Sequence, residues 1–230
     1  MAGKDDDVGK FPKEVIPALK RKLNAEGEHA EAEARIARAQ AIAAEIGQRD
    51  LERKEKDYLA GNKFHKIYAF NDMVGGSSVG ACISQLNIWS RTEPECDIEV
   101  IFNSLGGSVI DGMALYDYFQ SLRRAGHKLT TVTYGMAASM AGILLQAGDV
   151  RVIGKESYVL IHEISTMAIG KIGELEDVVE FCKMIQKRVI SIFASRSNKP
   201  ESYFEKHWRR KDWWLTSEDC LKIGIVDEVR

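Results

Sequence analysis

Residues 128–148 read K-L-T-T-V-T-Y-G-M-A-A-S-M-A-G-I-L-L-Q-A-G. The opening stretch, 128–134, is rich in β-branched residues and predicts a strand. Residues 139–147 predict a helix that Gly148 ends. Between them lies Y-G-M-A-A-S-M-A, 134–141, whose tiny side chains let two backbones approach closely. One hydroxyl, Ser139, sits where the helix starts. It is either a buried cap or a nucleophile beside uncommitted helix N–H groups able to receive an oxyanion.

The same alternation continues on both sides. Upstream, residues 66–70 and 97–102 predict strands, and 78–90 and 109–122 predict helices with apolar spacings of three and four. Downstream, 150–153 and 157–162 predict short strands. Residues 173–196 form a long amphipathic helix pattern, 200–211 a shorter one, and 215–224 another before the closing strand I-V-D-E-V. Repeated strand–helix units imply an α/β fold with parallel strands and helices on the faces. The helix at 173–196 is longer than one layer needs and can project toward another subunit.

Composition changes near residue 62. Residues 18–57 are dominated by Ala, Glu, Lys and Arg, strong helix formers with almost no aromatics. Ile36, Ala39, Ala43 and Ile46 make a thin apolar stripe. So thin a stripe predicts a helix that docks on its own globule or on a partner helix, or stays solvated. Residues 1–14 read as a mobile tail, and Gly61-Asn62-Lys63 as a joint.

Whole-chain composition bounds the function. The 230 residues suit one medium domain with an appendage, and the 45% apolar content supports a real core. With 32 basic against 34 acidic residues, net charge −2, nothing electrostatic favours nucleic acid or an anionic membrane. No run of 18 apolar residues and no leader-like apolar segment occurs, which predicts a cytoplasmic protein. The four cysteines, Cys82, Cys96, Cys182 and Cys220, are widely spaced without a C-x-x-C pair. They predict buried free thiols, with no metal site and no disulfide framework.

Three features bear on chemistry. Ser139 is the first. The second is S-L-G-G-S-V, 104–109, a glycine pair directly after a strand. It is either an ordinary tight turn or a loop presenting backbone N–H groups without side-chain obstruction. It lacks the G-x-G-x-x-G spacing of a dinucleotide site, so no cofactor is expected. The third is His162, ending the apolar run Y-V-L-I, either a satisfied core histidine or a general base for a serine. Nucleophile, base and oxyanion donors at strand and helix ends gather along one edge of an α/β sheet, the requirement for metal-free acyl transfer.

The segments I-F-N-S-L-G-G-S-V-I-D-G-M-A-L-Y-D, G-M-A-A-S-M-A-G-I-L-L, V-L-I-H and W-L-T-S-E-D-C-L-K-I-G-I-V-D-E-V occur in this order within residues 66–229. Together they resemble the proteolytic subunit family of the Clp protease. The resemblance implies the ClpP/crotonase-like fold of repeated β-β-α units, a handle helix at 173–196, and stacked heptameric rings enclosing the active sites. It divides the chain into a charged helical N-terminal extension, 1–62, and a Clp-type serine protease domain, 63–230. Ser139 falls on the family's nucleophile, His162 on its base, and Gly107 and Met140 on its oxyanion hole. Ser108 and Val109 fall on positions bordering an extended polypeptide substrate.

Two departures stand out. Counting back from Leu215 without a gap, the family's aspartate position holds Trp208, with His207 beside it. Asp212, one helical turn on, is the nearest acid and is taken as the third catalytic member. A dyad, a water or a backbone carbonyl in that role are the alternatives. Two positions of the pocket that docks an AAA+ unfoldase fall on Glu99 and Ser121, and a charge and a hydroxyl there weaken an apolar anchor. The N-terminal extension is also unlike the family's propeptide. The expected function is a serine endopeptidase. The alternatives are a catalytically silent ring subunit, a phage-type head maturation protease cutting scaffold or capsid proteins, and an acyl-CoA enzyme of the crotonase type.

Overall fold

The computed structural model describes Pro12 and residues 14–230. The mobile-tail reading of residues 1–14 falls almost wholly outside them. The chain divides into two units, one up to Leu59 and one from Ala60 onward. Helix α1 spans Ile16–Ala60 and buries none of its residues. Alanine-rich propensity and pairs one turn apart, such as Arg49–Glu45 at 2.6 Å and Lys54–Asp50 at 3.8 Å, support it locally. Ile36 and Ile46 of the thin stripe are exposed.

The second unit alternates strands and helices, as the sequence predicts. Its elements are β1 (Ile67–Phe70), α2 (Gly76–Thr92), β2 (Ile98–Ser104), α3 (Val109–Arg124), β3 (Leu129–Ala138) and α4 (Met140–Leu145). These are followed by β4 (Val150–Ile153), β5 (Tyr158–Ile161), α5 (Ile172–Ser195), α6 (Glu201–Trp208), β6 (Trp213–Leu215), α7 (Ser217–Ile223) and β7 (Glu228–Val229). The main path of the sheet, β1-β2-β3-β4-β7, is parallel throughout. The central strands are buried on both faces, with Thr131, Val132 and Thr133 of β3 and Val152 and Ile153 of β4 sealed from solvent, whereas β2 buries Val100 and Phe102 on one face only.

Strand β3 decides where the site lies. Its first half pairs with β4, from Thr130 with Val150 to Thr133 with Ile153. Its second half pairs instead with β5, from Met136 with Tyr158 to Ala138 with Leu160. The change of partner occurs at Gly135, whose φ of 84° is open to glycine and costly for other residues. A Cβ there would also lie 2.7 Å from Oδ1 of Asn103. The predicted strand ends at 134, but β3 runs on to Ala138. The small residues 135–138 carry no strand propensity of their own, and pairing with β5 supplies their ladder. For the same reason β6 escapes sequence reading: its three residues are held by antiparallel pairing to β5.

An ion pair between buried Arg151 and exposed Asp227 closes the far edge. Arg151 donates to both carboxylate oxygens of Asp227, to Oε1 of Gln146 at 3.0 Å and to the carbonyl of Arg196. Burial alone would raise the Asp227 carboxyl. The hydrogen bonds and charge of Arg151 outweigh it and hold that carboxyl below the usual range. A folded-state value below the unfolded one, about 3.9, gives stability present above that value and lost as pH falls through the folded one. Wild-type melting temperature is therefore expected to drop below about pH 4, and Asp227→Asn to flatten that part of the profile. Parallel wild-type and variant curves would show that the pair contributes nothing. Of the cysteines, Cys82 and Cys220 are buried and Cys96 and Cys182 half-buried, so only two of the four match the expectation. Burial pushes the Cys220 thiol up to about 12.

Candidate active site

Parallel pairing of β3 with β5 sets their C-terminal ends side by side. Ser139 follows β3 directly, and its N–H donates to Leu160 O at 2.9 Å. His162 follows β5 directly. Both line one cleft together with Gly107, Val109 and Met140. Ile143, Ile161, Ile164, Val189, Phe193 and Trp208 make an apolar part of its wall, and Glu163 and Ser165 a polar part.

Ser139 stands at the cap position of α4, yet its hydroxyl makes no capping hydrogen bond. Its φ is +55°, an uncommon conformation for a non-glycine residue, costing of the order of 1–3 kcal/mol. The serine is thus held in strain with its hydroxyl committed to nothing, and it does not cap the helix. The strain is sustained by packing around it, since every residue of α4 is buried.

The glycine loop presses against this turn. A Cβ on Gly106 would lie 2.5 Å from Ala138 O, 2.7 Å from Ser139 Cβ and 2.9 Å from Met140 N. Gly106 has φ 87° and Gly107 φ 148°. Val74, in the β1–α2 connection, pins the loop. Its N–H donates to Gly106 O at 2.8 Å, and its carbonyl accepts from Ser108 N at 2.7 Å. Ser104 adds a bond from Oγ to Asp72 O at 2.6 Å. The N–H groups of Gly107 and Met140 find no acceptor among the described residues. Two uncommitted donors therefore border the cleft that Ser139 enters. Sequence reading named Gly107 but not Gly106, although the glycine pair was the signal for both.

His162 is half-buried. Its Nδ1 meets the carbonyl oxygen of Glu163 at 2.5 Å. A carbonyl only accepts, so Nδ1 carries the proton and Nε2 keeps its lone pair, the form a general base needs. Asp212 is exposed and borders an adjoining cleft with His162, Glu163, Arg210 and Lys211. No hydrogen bond joins Asp212 to His162 among the described residues. Trp208 is 1% exposed and forms part of the apolar wall. His207 is occupied elsewhere, with Nδ1 on Tyr203 O at 2.7 Å and its ring stacked on Trp213.

The remaining predicted residues are placed as follows. Val109 lines the cleft. Ser108 is exposed, and its Oγ caps α3 by accepting from Asp111 N at 3.3 Å. Glu99 on β2 pairs with Arg230 at 3.4 Å, and Ser121 on α3 bonds Tyr118 O at 2.7 Å. Both polar groups are thus satisfied within the chain. No helix among the described residues is long and apolar enough to cross a membrane.

Comparison with known proteins bears on this arrangement. The Clp protease family model matches residues 63–230. A relative from Porphyromonas gingivalis W83, named ATP-dependent Clp protease proteolytic subunit, is 30% identical over 186 residues, 80% of this chain and 82% of its own. One of the same name from Bacteroides thetaiotaomicron is 29% identical over 188 residues, 80% of this chain and 83% of its own.

Proposed function

Since the chain belongs to the Clp protease family, we propose that it is a serine endopeptidase acting through Ser139 and His162. The observation carrying this reading is the convergence on one cleft of four groups. These are a strained serine, a histidine with Nε2 available, and two backbone N–H groups without acceptors. In the proposed reaction His162 Nε2 takes the Ser139 proton as Oγ attacks the substrate carbonyl carbon. The oxyanion rests on the N–H groups of Gly107 and Met140. His162 then protonates the leaving amine, the C–N bond breaks and an acyl-enzyme remains. Water, deprotonated by the same imidazole, releases the acid and restores the serine. Ser108 and Val109 border the peptide, and Ile143, Val189, Phe193 and Trp208 receive the acyl-side residue.

Assembly into stacked heptameric rings belongs to the same proposal. In its support, α5 exposes Ile172 (77%) and Met184 (68%), more apolar surface than a solvated helix needs. The polar residues Glu99 and Ser121 argue for a docking pocket unlike that of an AAA+-coupled protease. Helix α1, which lies outside the family match, suits a tether to a scaffold or capsid substrate. A second reading, a catalytically silent ring subunit, is favoured by one observation: an indole, not a carboxylate, stands at residue 208.

A fluorophosphonate probe, with native mass measured alongside, separates the two. The expected result is a stoichiometric adduct on Ser139 in an assembled particle. An assembled particle without the adduct would overturn the endopeptidase reading and leave the silent one.

A further inference from the structure

The His162 imidazole is oriented by the main chain, and the carbonyl that does it needs orienting in turn. Glu163 O, which accepts from His162 Nδ1 at 2.5 Å, belongs to the peptide joining Glu163 to Ile164. The N–H of that same peptide donates to Oε1 of Gln186 on α5 at 3.4 Å. A peptide unit is planar and trans, so its C=O and N–H point in opposite directions and turn together. Holding the N–H therefore aims the carbonyl. No other partner for either group of this peptide exists among the described residues.

Gln186 is placed to do this by helical spacing. Residues 186, 189 and 193 lie three and four apart and share one face of α5. Val189 and Phe193 form part of the cleft wall beside Ser139 and His162, and both are buried. Gln186 is half-buried one turn earlier, at the start of the packed half of the helix. The segment it holds has few other anchors: Ser165 to Gly170 are all exposed.

We propose that Gln186 is a positioning residue for the reaction. By accepting from Ile164 N–H it fixes the 163–164 peptide, so that the Glu163 carbonyl keeps the proton on His162 Nδ1 and leaves the lone pair on Nε2. This rests on the serine–histidine reading above. The relay Gln186–peptide–His162 takes the place that a carboxylate would hold, and Asp212 has no part in it. If the peptide turns, the carbonyl leaves Nδ1, the proton is free to move to Nε2, and the base is lost from the productive fraction of molecules.

The test uses the full chain and three variants. Gln186→Leu keeps the bulk and loses the acceptor, Gln186→Glu keeps an acceptor oxygen, and Asp212→Asn removes the nearest acid. Peptide hydrolysis gives kcat and KM, and ¹⁵N spectra of the histidine ring give the His162 tautomer. Gln186→Leu is expected to lose about 10- to 100-fold in kcat, the scale of a small misplacement of a catalytic group, with KM nearly unchanged. Its His162 should become a mixture of tautomers. Gln186→Glu should recover most of the loss, and Asp212→Asn should change kcat by less than about threefold, against the roughly 10⁴-fold cost of losing a true third member. Wild-type kcat and tautomer in Gln186→Leu would overturn the proposal. So would losses in both Gln186 variants that track melting temperature and particle mass, which would make the role structural. A 10⁴-fold loss in Asp212→Asn would hand the orienting role to that carboxylate. If the wild type has no Ser139-dependent turnover, the endopeptidase reading fails. The tautomer comparison needs no turnover and still decides the role of Gln186.

Discussion

Ser139→Ala is expected to lower kcat for peptide hydrolysis on the order of 10⁴- to 10⁶-fold while leaving the fold intact. The reasoning has two parts. In the folded chain the hydroxyl is bonded to nothing, so its removal unsatisfies no partner. Alanine at φ +55° bears about the same backbone strain as serine, so stability should move by less than about 0.5 kcal/mol. The reaction loses its nucleophile altogether, and what survives is the binding and oxyanion contribution. Thermal melting and native mass together with turnover check both parts. Turnover at the wild-type rate would remove Ser139 from the mechanism. A collapse of melting temperature would mean that the hydroxyl holds the elbow together, contrary to its lack of hydrogen bonds.

The second large effect belongs to Gly107. A Cβ at this position would stand 2.3 Å from the carbonyl oxygen of Val74 and 3.1 Å from its carbonyl carbon and nitrogen. These are main-chain atoms within the contact that pins the loop, so no side chain can swing aside. The φ of 148° adds conformational cost for any residue with a side chain. Gly107→Ala must therefore shift either the loop or the β1–α2 connection, and the Gly107 N–H moves away from the oxyanion position. Loss of one such donor costs about 10² to 10³ in kcat. Strain of this kind adds about 1–3 kcal/mol of destabilisation. The distinguishing measurement is labelling by the fluorophosphonate, whose phosphoryl oxygen uses the same donors. Labelling of Gly107→Ala should slow in step with kcat while the site stays assembled. Undiminished labelling with an unchanged kcat would show that this N–H stabilises no oxyanion.

Much of this arrangement was legible in the residues themselves. Strand and helix periods reflect local burial, and the second unit alternates the two except where β5 follows β4 and α6 follows α5. The seven helices among the described residues all answer to predicted ones, with ends shifted by a few residues. Ser139, His162 and the glycine pair announced themselves because each breaks the pattern around it: a hydroxyl in a tiny-residue run, a titratable group closing an apolar strand, and two residues without side chains after β2. The absence of an acid at residue 208 was equally readable, and the structure fills that place with a buried indole.

What the residues alone could not decide depends on groups every residue possesses or on partners far along the chain. The bend of β3 at Gly135 and its transfer to β5 bring Ser139 and His162 to neighbouring strand ends. Those pairings join segments about twenty residues apart, and propensity carries no information about which strand will be the neighbour. The group that meets His162 Nδ1 is a main-chain carbonyl, and a carbonyl has no sequence signature. Gln186 lies 24 residues beyond His162 on a helix whose amphipathic pattern marks its face but not its hydrogen bond. The sequence by itself determined the α/β plan and singled out Ser139, His162 and the glycine pair as the residues that break its pattern. Only the tertiary structure decided how these meet and which main-chain carbonyl faces His162 Nδ1, because both rest on backbone geometry set by non-local packing.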